Sequence, residues 1–324
     1  MEHGPIFVGG ADRSGKTLMR LSLSAHPDIA MTRRTYMWTY FYGRYGDLSQ
    51  RENFNRCLAA MLQHAPMQVL QPHPDRIRRE FGQGEPTYAR LFALFHGHYA
   101  QRLGKPRWGE QVGAIEGYAD QILAAYPNAR LIHMIRDPRE RFSKIRSSAR
   151  ADKSPVGSAA ARWRHSVRLA RANLRRYPDC YLVVRYESLI ADREATLREV
   201  CDFLGEEFVP GMVTLENAMR FSDDPRLDRA AADAPESIGA PGEASLGSVS
   251  RRELAFMQGY AGQEMLAYGY TMGSLRLSLK DRLVLALVDW PTNMARAAVW
   301  HALETLHASF PAQITRKQLI AKTR

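Results

Sequence analysis

Ile6-Phe7-Val8-Gly9-Gly10-Ala11-Asp12-Arg13-Ser14-Gly15-Lys16-Thr17 is the stretch on which the fold turns. Ile6 to Gly9 reads as a short buried strand. Gly10 to Thr17 then has phosphate-loop spacing, a glycine, four residues and Gly-Lys-Thr. Glycines let such a backbone curl so that successive amides converge on an anion. Leu18-Met19-Arg20-Leu21 continues as a helix whose N-terminal dipole adds to the attraction. A strand-loop-helix unit that grips phosphate is the expectation, with Asp12, Arg13, Ser14, Gly15, Lys16 and Thr17 as its binding residues.

Which phosphate is bound depends on a second segment. Ala129 to Ile135 is a mostly apolar run of strand length that ends in Arg136-Asp137-Pro138-Arg139-Glu140-Arg141. A nucleoside triphosphatase usually ends this kind of strand in an Asp that holds Mg²⁺. Here an arginine stands at the strand end, and a guanidinium fork suits a phosphate monoester better than a metal.

These segments together resemble the sulfotransferases that use 3′-phosphoadenosine 5′-phosphosulfate (PAPS), closest to their bacterial and tyrosylprotein branches. Ile6 to Arg20 resembles the family's 5′-phosphosulfate loop, and Ala25-His26-Pro27-Asp28-Ile29 the segment after its first helix. Arg136-Asp137-Pro138-Arg139 resembles the 3′-phosphate motif. Val183-Val184-Arg185-Tyr186-Glu187-Ser188-Leu189 resembles the strand and Tyr-Glu turn that follow. The likeness runs from about residue 5 to 270. It implies an α/β fold of three layers, phosphate-loop-like, with a central parallel sheet. The strands of Ile6, Trp108, Leu131 and Leu182 should form its core. It also implies PAPS as donor, PAP as product and no metal. Arg136 with Ser143 or Lys144 would hold the 3′-phosphate, and Tyr186 would lie near the adenine.

Departures from the family pattern bear on catalysis. Thr32-Arg33-Arg34-Thr35 replaces the acidic pair from which the tyrosylprotein branch draws its base. In Arg107-Trp108-Gly109-Glu110-Gln111, Gln111 stands where relatives carry a lysine, and Lys16 takes one place of the loop's usual threonine pair. Sulfuryl transfer builds negative charge on the leaving phosphate, and Lys16 is placed to meet it. Glu110 is the best-placed acid to take the acceptor's proton; the competing reading is a solvated surface carboxylate. His133 reads as a core histidine and His26 as a turn cap. Two other functions fit less well: a phosphate-loop kinase using Mg²⁺ and ATP, and a donor-binding protein with weakened catalysis.

The chain has 324 residues and a net charge of +11. Its mean hydropathy of -0.37 argues against a chain that is mostly membrane-spanning. The basic residues are spread, as in Arg76-Arg78-Arg79 and along Arg162 to Arg176, and are not interleaved with aromatics. Specific nucleic-acid binding is therefore not expected. The surface suits an anionic donor, with a small molecule, a carbohydrate or a peptide as acceptor. Cys57, Cys180 and Cys201 show no metal or disulfide spacing. With the first strand opening within six residues of Met1, a cytoplasmic setting is the expectation.

Residues 1–273 are expected to form the sulfotransferase-like domain. The span 36–105, aromatic-rich from Tyr36 to Tyr45, would be an acceptor-side helical insertion. Ile115 to Tyr126 reads as a crossover helix, Ser158 to Tyr177 as a long Arg-rich helix, and Asp223 to Gly247 as a lid. Ser250-Arg251-Arg252-Glu253 is a capping box. Residues 274–324 form a basic, helical C-terminal extension beyond the resemblance. It could serve a homodimer, docking on the catalytic domain, or contact with an anionic membrane. The last ranks lowest, because Trp290-Pro291 should interrupt the helix.

Overall fold

The computed structural model describes residues 3–146, 155–215 and 248–309. Five strands form one wholly parallel sheet: β1 (Ile6–Gly9), β2 (Ile29–Arg33), β3 (Arg107–Gln111), β4 (Arg130–Ile135) and β5 (Tyr181–Arg185), in the order β2-β3-β1-β4-β5. Phe7 is in register with Glu110 on one side and Leu131 on the other. The four strands expected at the core are there. β2 was not anticipated: it pairs with β3 from Ile29–Arg107 to Arg33–Gln111 as the edge strand. Its run Ile-Ala-Met-Thr-Arg lacks alternation because four of its five residues are buried.

Strand pleating sends alternate side chains to two cores. Phe7, Trp108 and Leu131 pack under α2 (Arg51–Gln63), α3 (Ala65–Gln68), α4 (Pro74–Phe81), α5 (Tyr88–Arg102) and α6 (Ala119–Ala125). Ile6, Val8, Ile132 and Met134 pack against α1 (Lys16–Ala25), α9 (Tyr186–Ala191), α10 (Arg193–Leu204) and α11 (Gly211–Thr214). The α/β three-layer expectation therefore holds. Thr87 caps α5, and Asp192 caps α10 through the amide of Ala195. The crossover expected from Ile115 to Tyr126 is split, with a 3₁₀ turn at Ile115–Tyr118 before α6.

After β4 come α7 (Pro138–Arg146) and the long α8 (Val156–Arg176). The capping box opens α12 (Arg251–Ala267), with both reciprocal hydrogen bonds present. The lid expected over Asp223 to Gly247 lies outside the described residues. C-terminal helices α13 (Leu279–Val284) and α14 (Trp290–Ser309) are joined by a π-helical stretch at Leu285–Asp289. Trp290 itself has right-handed helical angles, so the chain stays helical through Trp290-Pro291, contrary to the expected interruption. No helix among the described residues is long and apolar enough to cross a membrane.

Candidate functional site

All five strands are parallel, so the segments that follow them gather at one edge of the sheet. β1 lies between the β3–β2 side and the β4–β5 side, which makes the crevice beyond its end a topological switch point. Gly10 leaves β1 with φ 113°, and a Cβ there would lie 2.2 Å from the carbonyl oxygen of Met134. Only glycine lets the loop turn this close to β4. Gly10→Ala is expected to cost about 2 kcal/mol or more, read as a lower midpoint in urea; an unchanged midpoint would refute the close approach.

Arg13 (φ 64°) and Gly15 (φ 94°) are also left-handed, and they curl the loop into α1. No side chain caps the first amides of α1. The hydroxyl of Ser14 is buried without a hydrogen-bond partner. Lys16 Nζ folds back, donating to the carbonyls of Gly10 (2.5 Å) and Ala11 (2.7 Å), 4.0 Å from Asp12 Oδ1. Burial pulls its ammonium below the usual value, while Asp12 and Glu116 oppose that pull. Lys16 in turn holds Asp12 below the ordinary carboxylate range.

The second half of the site is built by Arg136 and Tyr186. The Arg136 guanidinium lies 4.2 Å from the centre of the Tyr186 ring and pairs with Glu140 at 3.0 Å. The same ring sits on the loop between β1 and α1, where a Cβ on Gly15 would fall 2.3 Å from it. Ser143 lies on α7 with its hydroxyl 3.0 Å from that of Ser248, and Lys144 follows, exposed. Asp137 does not project into the crevice: it is buried, accepting from the Arg139 amide (2.8 Å) and guanidinium (2.6 Å).

Several supports escaped the sequence reading. Arg141 Nε donates to the Asp12 carbonyl at 2.6 Å and so ties α7 to the loop; burial pulls its pKa down to about 10. Glu116 accepts from the Gly10 amide at 3.3 Å and from Ser166 at 2.6 Å. Burial pushes Glu116 up, but His133 and the Ser166 hydroxyl outweigh it and hold it low. Glu187 accepts from the Asp137 amide at 2.8 Å. Arg141 was within reach of sequence reasoning, one turn into the helix after Arg136; Glu116 and Glu187 depend on long-range packing. His133 bonds Tyr181 (2.8 Å) and Ser166 (3.2 Å) inside the core.

Glu110 is completely buried rather than solvated. Thr35 Oγ1 and the Tyr36 amide donate to its Oε1, the latter at 3.1 Å. Its Oε2 has no hydrogen-bond partner and faces His96 Nε2 at 3.7 Å. Thr32 spends its hydroxyl proton on the Gly109 carbonyl (3.0 Å), so His96 Nδ1 donates to Thr32 and Nε2 presents a lone pair. Burial draws His96 down to about 3, which keeps it neutral. An ionised Glu110 thus meets a lone pair and little solvent, and burial raises its pKa to about 7 against the two donated hydrogen bonds. The turn that covers it is strained: Arg34 (φ 53°) and Tyr36 (φ 56°) are left-handed non-glycine residues on either side of Thr35.

Beside this turn the aromatic run divides. Trp38, Phe41 and Tyr45 are core residues, whereas Tyr36 and Tyr40 stack half-exposed at 4.6 Å. Gln111, in the place of the family lysine, is buried with its Oε1 unpartnered. Among the described residues, His26, Asp28 and Glu206 cluster as metal ligands would, but at the N-terminal edge of the sheet. Both His26 nitrogens are engaged, by the Glu207 carbonyl and the Asp28 amide, and Glu206 pairs with Arg107.

Residues 5–210 match the model of the sulfotransferase family. The chain is 27% identical over 244 residues to the protein-tyrosine sulfotransferase of Drosophila melanogaster, covering 67% of this chain and 44% of that protein. It is 24% identical over 248 residues to protein-tyrosine sulfotransferase A of Caenorhabditis elegans, covering 67% and 57%. It thus spans about half the length of these curated relatives. Its fold is like that of the sulfotransferase domain of the Synechococcus PCC 7002 olefin synthase, with a TM-score of 0.53 at 24% identity over 83% of this chain and 95% of that one. The sulfotransferase domain of the curacin biosynthetic pathway gives a TM-score of 0.50 at 17% identity, over 84% and 99%. With its loop, its Arg136 turn and its parallel sheet accounted for, the chain belongs to the sulfotransferase family.

Proposed function

We propose that the protein transfers a sulfuryl group from PAPS to a hydroxyl or amine of an acceptor, releasing PAP. One observation supports this reading: the Tyr186 ring rests on Gly15 of the Gly10–Thr17 loop and lies under the Arg136 guanidinium, and so joins the two segments assigned here to the 5′- and 3′-phosphates. A nucleotide with phosphates at both its 5′ and 3′ positions needs two anion-binding segments held at a fixed separation, and the buried Tyr186 ring packs one against the other. The residues present fit the donor. The orphaned Ser14 hydroxyl, the uncapped amides of α1, Arg13, Lys16 and Thr17 serve the 5′-phosphosulfate. Arg136, with Ser143 and Lys144 nearby, serves the 3′-phosphate. The engagement of Asp137 by Arg139 speaks against the kinase alternative, which needs a carboxylate free for Mg²⁺.

When bound, PAPS supplies an activated sulfuryl group on a phosphate leaving group. Lys16 stabilises the charge that grows on the bridging oxygen, and Glu110 accepts the acceptor's proton once the Arg34–Tyr36 turn opens. Tyr36, Tyr40 and the insertion over 36–105 face the acceptor. The names of the tyrosylprotein relatives favour a peptide hydroxyl, ahead of a carbohydrate or another small molecule.

Arg136→Ala tests the donor site. PAP affinity, measured by calorimetry, should fall about 10–100-fold, the worth of a charge-assisted contact, while adenosine 5′-phosphate affinity changes little. Equal losses for both ligands would show that Arg136 does not read the 3′-phosphate.

A further inference from the structure

We propose that the C-terminal helix lies on an anionic membrane surface, through a face that stays exposed among the described residues. From Leu279 to Ser309 the chain is helical, about 46 Å at the α-helical rise. Leu279, Leu283, Leu287, Val299, Leu303 and Leu306 on it are each 50–79% exposed. The π-helical stretch at Leu285–Asp289 explains why they act together. A π turn takes up one more residue than an α turn and so rotates the following helix by about 100°. That rotation brings Val299, Leu303 and Leu306 round to the side of Leu279, Leu283 and Leu287.

The opposite side is docked. Asn293 and Ala297 are buried, Asn293 Oδ1 accepts from the Gly157 amide at the start of α8 (3.2 Å), and Trp290 packs on Phe256. The apolar face is therefore held outward by a rigid attachment.

Charge selects the occupant. Residues 274–324 carry eight basic residues (Arg276, Lys280, Arg282, Arg296, Arg316, Lys317, Lys322 and Arg324) against three acidic ones. Two of those acids, Asp281 and Asp289, are engaged by Arg252 of α12 at 3.9 and 3.0 Å. Lys280 and Arg282 are exposed on the first turn of this helix, and Arg276 is exposed just before it. A second copy would bring to these cations the same basic surface, eight basic residues against three acidic ones. A lipid surface with anionic headgroups neutralises them and buries the leucines, as an interfacial amphipathic helix does. This inference does not depend on the donor chemistry.

Flotation of the full chain with vesicles tests it. Binding is expected to vesicles of equal parts phosphatidylcholine and phosphatidylglycerol, not to phosphatidylcholine alone, and should weaken with added salt. Leu283→Glu/Leu303→Glu and, separately, Lys280→Glu/Arg282→Glu should each lower the bound fraction about tenfold or more, with the thermal transition unchanged. The charge pair lies on the surface, so it keeps the test open if the leucine pair fails to fold. Absence of binding to the anionic vesicles would overturn the proposal. So would binding that neither variant weakens, or a wild-type dimer in light scattering that Lys280→Glu/Arg282→Glu leaves intact and Leu283→Glu/Leu303→Glu dissociates.

Discussion

Glu110→Gln is expected to lower turnover by about 10²–10⁴, the usual worth of a general base, and to abolish a rise in rate centred near pH 7. Glu110 must be ionised to take a proton, and burial has moved its pKa up to about 7. The wild-type rate should therefore climb as pH passes upward through that value. The same residue makes a second, opposite prediction for stability. Its folded pKa lies above the ordinary value of 4.5, so the folded state holds the proton more tightly. Stability is full below about 4.5, falls as pH rises towards 7, and is level above; the penalty is at most about 3 kcal/mol. Gln carries no charge and keeps the acceptor that Thr35 and Tyr36 need. The variant should thus be more stable than wild type at pH 8 and equal to it at pH 4. A stability gain with full turnover at every pH would make Glu110 a buried structural acid and place the base elsewhere.

Lys16→Ala should lower turnover by about 10²–10³, the cost of losing one charged contact to a developing oxyanion. In the free protein Lys16 also fastens the loop through the Gly10 and Ala11 carbonyls, so a purely structural role must be separated from a chemical one. PAP lacks the sulfuryl group and makes the separation. A role at the leaving oxygen leaves PAP affinity within a few-fold of wild type while kcat falls; a role in loop shape lowers PAP affinity in step with kcat/KM.

What was legible in the sequence is what short stretches dictate by themselves. Gly10 and Gly15 take backbone angles that admit few residues, Lys16 opens the helix that follows, and Arg136 follows a strand of unmistakable length. Ser250 and Glu253 formed their capping box because it needs nothing beyond its own four residues. Long-range packing decided the rest. Whether Glu110 faces solvent depends on the Arg34–Tyr36 turn, set more than seventy residues away in the chain. β2 escaped notice because an edge strand buried on both faces lacks period-two alternation, and its polar end at Thr32 and Arg33 read as part of a site. The chain stays helical through Pro291, against the expected break, where a π turn at Leu285–Asp289 directly precedes Trp290.

The measurement that bears most directly on the central claim is incubation of the purified protein with sulfur-labelled PAPS and a panel of peptide, carbohydrate and small-molecule acceptors, alongside Mg²⁺ and γ-labelled ATP. PAP release with label appearing on an acceptor is expected, and no transfer from ATP. Turnover of ATP with PAPS left intact would contradict it.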